Sequence, residues 1–170
     1  MRRIFFIGVL LSVTFFAKSQ LHITRIDYDS SKLLTGYISD LNLRTDSAFK
    51  WFNRTQKIYN PKEKVVKVFA QNKDSIHLLI FMGTWCEDSH FVIPRFYKIL
   101  DSAKFNKEHI SLIAVDRNKK DDMHLADALH VNRVPTIIVY KNGKEQGRVV
   151  EYGNTGRYDE EVAALITGSL

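Results

Sequence analysis

Cys86 is the only cysteine in a chain of 170 residues. It stands in Gly83-Thr84-Trp85-Cys86-Glu87-Asp88-Ser89-His90, just before a stretch whose apolar spacing predicts a helix. A thiol attacks a disulfide only as its thiolate. A helix start favours that anion, because unpaired backbone N–H groups and aligned peptide dipoles point toward it. Glu87 and Asp88 oppose the effect, since neighbouring carboxylates disfavour another negative charge. The same two residues also stabilise a first helical turn in their own right. Three places beyond Cys86, where a second thiol would share the helix face, the chain carries Ser89. An alcohol is not a resolving thiol, although its hydroxyl can donate a hydrogen bond to a Cys86 thiolate. These residues point to one-step disulfide exchange or capture. The plainer alternative is a buried cysteine acting as a small apolar side chain.

Other chemistries find less support. Cys86 and His90 sit at i and i+4, but a metal site needs further ligands and none cluster nearby in the sequence. His90 is expected to face solvent. Ser89 lacks the base and oxyanion partners of a catalytic serine. Lysines and arginines are scattered rather than run together, which argues against nucleic acid as a partner.

The elements around Cys86 follow an α/β order. Ile76 to Met82 is a short apolar run expected as a strand buried on both faces. A helix follows to about Phe105, with Phe91, Ile93, Phe96, Ile99 and Leu100 on its apolar side. Ile110 to Val115 is a second buried strand, parallel to the first through the intervening helix. Asp121 to Leu129 is a short helix with Leu125, Ala128 and Leu129 inward, and Thr136 to Tyr140 is a third strand. Asn142-Gly143 marks a tight hairpin, with Arg148 to Tyr152 returning antiparallel and Asp159 to Ile166 closing as a helix. Upstream, Leu21 to Ile26 alternates like an edge strand. Asp46 or Ser47 caps a helix from about Ala48 whose apolar face includes Phe49, Trp51, Phe52, Ile58 and Tyr59. Pro61 interrupts before a second helix over 62–71. Residues 20–46 otherwise have no firm period.

The first 19 residues have the three parts of a secretory signal peptide: Arg2-Arg3, the apolar run Ile4 to Ala17, and the small-x-small site Ala17-Lys18-Ser19. The run is shorter than the ~20 apolar residues of a spanning helix, so cleavage is expected to leave no stable membrane anchor. Without the leader 151 residues remain, enough for one domain with its own core, and the net charge falls from +6 to +3. Export places the chain in a periplasmic or extracellular setting where disulfides persist. A single cysteine there is a candidate for reactive or intermolecular chemistry.

Taken together, the chain resembles the thioredoxin superfamily, and in particular an exported bacterial thioredoxin-like branch with a monothiol Cys-x-x-Ser site. The resemblance rests on Trp85-Cys86 at a strand-to-helix junction, on Pro94 eight residues beyond Cys86, and on Val134-Pro135-Thr136 leading into Ile137 to Gly143. It covers about residues 65–168. It implies a central mixed β-sheet flanked by helices over 65–170, with 20–64 as an N-terminal extension packing on that domain. It also implies Cys86 as nucleophile with Ser89 in place of the resolving cysteine. Pro135 would be cis, presenting Val134 for backbone recognition of an extended substrate, with Thr136 beside it and Trp85 as an apolar wall. Ile80 occupies the place of the family's buried acid. Thr84 also has a counterpart near the nucleophile of peroxide-reducing relatives, but the proline that accompanies it is missing. The implied function is thiol–disulfide exchange, reductase or isomerase-like, with no cofactor. Its partners would be disulfide- or thiol-containing proteins or small thiols. The alternative function is a redox-inactive module that binds peptides or proteins.

Overall fold

The computed structural model describes residues 22–169, so the expected signal peptide lies outside the described residues. A six-stranded sheet in the order β1-β2-β4-β3-β5-β6 forms the centre. Its strands are β1 (His22–Ile26), β2 (Lys32–Ile38), β3 (Ile76–Met82), β4 (Ile110–Ala114), β5 (Thr136–Lys141) and β6 (Lys144–Val150). The β3–β4 pair is parallel and all other neighbours are antiparallel. The helices are α1 (Asp40–Thr45), α2 (Lys50–Ile58), α3 (Glu63–Asn72), α4 (Glu87–Ser102), α5 (Leu125–Ala128) and α6 (Tyr158–Thr167). This is the α/β arrangement with a mixed sheet, a thioredoxin-like fold.

Side-chain alternation splits the interior into two layers. From β3, Ile76, Leu78, Ile80 and Met82 enter one layer, with Leu112 of β4, Ile137 and Val139 of β5, and the apolar faces of α1 to α4 and α6. Phe81, Ile113 and Ile138 enter the other, which is smaller and is closed by Ala126, Val131 and Val134. Trp85 and Cys86 pack against this second layer. Cys86 therefore sits where a strand filled on both faces runs out.

Several local expectations need correction. Residues 32–38, read as having no firm period, form β2, whose side chains Leu33, Leu34, Thr35 and Ile38 are buried because the strand lies between β1 and β4. On α2, Ile58 is 75% exposed while Gln56 is buried. The amide is satisfied there, its Oε1 accepting from the Arg44 guanidinium at 2.6 Å. On α4, Phe91 is turned out and Val92 and Tyr97 are in. Only Leu125–Ala128 of the expected 121–129 helix is helical, and Ala126 rather than Ala128 is buried. Asp121 precedes it as a buried cap whose carboxylate accepts N–H bonds from Met123, Leu125 and Ala126. Asn142 and Gly143, with φ of 51° and 73°, close a two-residue turn, so β6 starts at Lys144 and ends before Tyr152.

The segment ahead of residue 65 thus supplies two strands to the sheet, and α1 and α2 to the main core. Phe52 of α2 is fully buried, with its ring edge-on to Tyr97 of α4 at 5.8 Å. Phe52→Ala is expected to lower stability by about 3–5 kcal/mol while denaturant unfolding stays a single transition. Two separate transitions would mean that the segment folds apart from the rest.

Candidate functional site

Cys86 is the N-cap of α4, with extended backbone angles of φ −93° and ψ 121°. Its N–H donates to the Gly83 carbonyl at 3.1 Å, and its own carbonyl accepts the His90 N–H at 3.0 Å. The side chain is partly exposed. Its Sγ donates to the Val134 carbonyl at 3.3 Å. The Val134–Pro135 peptide is cis, as the resemblance implies. Residues 48 positions apart in the chain are thus in contact at the thiol.

The loop that carries Cys86 is anchored by side chains, because its backbone leaves the sheet ladder here. Trp85 donates its indole Nε1–H to the Val115 carbonyl at 2.9 Å. The indole lies across Gly83: a Cβ on Gly83 would meet Trp85 Cε2 at 2.6 Å, so glycine alone fits beneath it. Arg117 and Lys119 place their charged ends 5.4 and 5.5 Å from the indole ring, within cation–π range. Arg117 also stacks over Tyr28 at 4.6 Å and pairs with Asp27 and Asp29, which ties the β1–β2 turn to this side of the site. Thr84 is buried and turned away from the thiol. Its hydroxyl accepts the Leu34 N–H at 3.1 Å and donates to the Lys32 carbonyl at 3.3 Å, bridging to β2.

His90 does not face solvent. Its ring stacks on Trp51 of α2, with centroids 4.0 Å apart, and its Nε2 lies 2.7 Å from the Thr84 carbonyl. The carbonyl accepts, so Nε2 carries the hydrogen and donates. Burial pushes the imidazole below its ordinary value, outweighing the opposing effects of the Thr84 bond and the Glu87 charge. Sequence spacing placed His90 one turn from Cys86 but contained no sign of Trp51, which arrives from 39 positions upstream.

Ser89 is fully buried and its Oγ accepts the Gly83 N–H at 3.2 Å, so it supports the loop. No bond joins it to Cys86 among the described residues. Ile80 is fully buried in apolar surroundings. Pro135 and Val134 are buried, with the Val134 carbonyl reaching Cys86. Thr136 is buried too, its hydroxyl donating to the Arg133 carbonyl at 2.7 Å while its backbone lies between β3 and β6. Pro94, eight residues beyond Cys86, lies inside α4.

One neighbour was not legible in the sequence. Tyr152, just past β6, donates its hydroxyl to Asp88 at 2.8 Å and sets its ring edge-on to Phe91 at 5.4 Å. The Asp88 bond, then burial and the charges of Asp88 and Cys86, push the Tyr152 phenol up to about 12. The hairpin turn, a register shift in the β5–β6 ladder and the left-handed backbone of Glu151 lie between β5 and this contact.

The family model "Thioredoxin" matches residues 57–165. The chain is 30% identical over 83 residues to a thioredoxin of Echinococcus granulosus, covering 49% of this chain and 72% of that one. It is 27% identical over 90 residues to a thioredoxin of Mycoplasma genitalium, covering 53% and 80%. Among solved structures, a protein of unknown function from Pseudomonas aeruginosa superposes with a TM-score of 0.51 at 16% identity, over 71% of this chain and 84% of that one, a likeness of fold.

His90 yields a pH test. Its folded-state value lies below the ordinary 6.5, so as pH falls the unfolded chain takes up the proton first. Above about 6.5 the ring is neutral in both states and its contribution is fully present; stability falls as pH drops from there toward the lower folded-state value and levels off below it. His90→Gln keeps a donor for the Thr84 carbonyl but cannot titrate. The stability lost between about pH 7.5 and pH 5.5 should shrink in this variant relative to wild type, measured by denaturant unfolding. An equal loss in both proteins contradicts the assignment.

Proposed function

The chain belongs to the thioredoxin family, and from that premise we propose that it carries out monothiol thiol–disulfide exchange through Cys86. The observation that carries this reading is a partly exposed cysteine at the N-cap of α4 with a buried serine at the resolving position. The Cys86 thiolate attacks one sulfur of a substrate disulfide. A bond forms between Cys86 and that sulfur, the substrate's S–S bond breaks, and the other sulfur leaves as thiolate. With no second cysteine in the chain, an external thiolate must then attack the mixed disulfide and restore Cys86. That thiol is a small molecule, another protein, or a second cysteine of the substrate, and the last case is isomerisation. Trp85 and the Val134–Pro135 turn are assigned to substrate binding beside the sulfur, and Thr136 to shaping that turn. Thiol- or disulfide-containing proteins are the substrate class. The leader pattern of residues 1–19 supports export to a periplasmic or extracellular setting.

Incubation of the protein with glutathione disulfide is expected to add one glutathione at Cys86, seen by intact and peptide mass spectrometry, and the adduct should persist until an external thiol is added. Cys86→Ala should form none. If wild type is folded yet stays unmodified, the alternative of a redox-inactive binding module is favoured.

Ser89→Cys makes a second prediction. Residues three apart on a first helical turn are neighbours, so the new thiol should bridge to Cys86 on mild oxidation and release mixed disulfides without an external thiol. Turnover in an insulin-reduction assay should rise, but only partly, because apolar Ile80 offers no carboxylate to deprotonate the new thiol. A folded variant that never forms the internal disulfide would remove the geometric basis of the reading.

A further inference from the structure

Arg95 lies nine residues, about two and a half turns, beyond Cys86 on α4, and no carboxylate pairs with it among the described residues. Its guanidinium lies 3.4 Å from the centroid of the Phe91 ring and gives one N–H to the Phe91 carbonyl at 2.8 Å. A guanidinium has five N–H donors, so most of its donors have no protein partner there. Phe91 is 41% exposed, and Tyr152 packed against it is 36% exposed. On the same helix face Glu87, four residues before Phe91, is exposed; Asp88 accepts from Tyr152 and keeps its charge, and Glu160 pairs with Lys62 and Lys64. Buried Asp159 has Lys62 at 3.7 Å. The result is an exposed apolar strip, Phe91 and Tyr152, on the helix that Cys86 caps, ending at a stacked, partly exposed cation with spare donors.

We propose that this strip, outside the Trp85 and Val134 side of the site, reads a carboxylate on the substrate protein whose cysteine reacts at Cys86. The inference rests on the exchange function proposed above. Spacing limits where the acid lies. The guanidinium bends back to the level of Phe91, so five to nine residues of helix rise, plus the turn around the axis, put it roughly 10–13 Å from Cys86. An extended peptide advances about 3.3 Å per residue, so the acid falls three or four residues from the substrate cysteine. An apolar side chain between them would rest on Phe91 and Tyr152. A second copy of this chain is the competing occupant.

The test uses the full protein and two sets of short peptide disulfides, with Glu or Lys placed three or four residues on either side of the cysteine. Rates of adduct formation at Cys86 are compared. Wild type is expected to prefer one of the Glu peptides by about threefold to fivefold, the size of a partly exposed ion pair, and the preference should shrink as salt is raised. In R95Q the preference should vanish while the Lys peptides react as before. R95K should keep part of it, because charge remains and the stacked fork is lost. Circular dichroism establishes that each variant is folded. Equal rates for Glu and Lys peptides in wild type overturn the inference but leave the exchange function standing. So does a preference that survives R95Q, or a salt-sensitive dimer by sedimentation that R95Q dissolves. If no peptide reacts at Cys86, the exchange function fails and the inference with it.

Discussion

The buried hydroxyl of Thr84 is the joint on which the site depends. β3 ends at Met82, and from there the backbone loses its ladder partners while still inside the protein. Buried backbone groups left unpaired are costly, so the loop needs other partners. Thr84 uses its side chain to bond both a donor and an acceptor of β2, and its carbonyl takes the His90 imidazole. The Gly83 N–H donates to the Ser89 hydroxyl oxygen, and the Trp85 indole N–H donates to the Val115 carbonyl. Together these bonds tie residues 83–85 to β2, to α4 and to Val115 beyond β4, so the backbone leading to the thiol is held from three directions.

This network changes what the segment ahead of residue 65 means. β2 supplies the groups that hold Thr84, and α2 supplies the Trp51 ring that buries His90. Asp27 and Asp29 of the β1–β2 turn hold Arg117 against Trp85. Each of these residues contributes to the reactive loop from outside the part of the chain where the sequence motifs lie. They surround Thr84, Trp85 and His90, the neighbours of the thiol, with fixed dipoles, rings and paired charges.

The substitution of Ser89 for a thiol is coherent with its surroundings. A buried Cys at that place would need a base to become a thiolate, and Ile80 is packed among aliphatic side chains that offer none. The serine hydroxyl instead satisfies the Gly83 N–H in the interior. At this position the side chain supports the loop, and Cys86 stands at the helix start.

The sequence alone determined the strand–helix order from Ile76 to Ile166, because a continuous apolar run, a helical period and an Asn-Gly turn are local signals carried by consecutive residues. It also determined the lone thiol, the missing resolving cysteine and the Val134–Pro135 turn, since these are matters of residue identity and motif. It did not reveal β2, whose mixed pattern becomes intelligible only between β1 and β4, nor that Gln56 is buried in place of Ile58. The surroundings of Cys86 were hidden for the same reason. Trp51 on His90, Tyr152 on Asp88 and Thr84 on Leu34 join residues 39, 64 and 50 positions apart. Such contacts depend on how helices and strands are placed in three dimensions, and no local period encodes that placement.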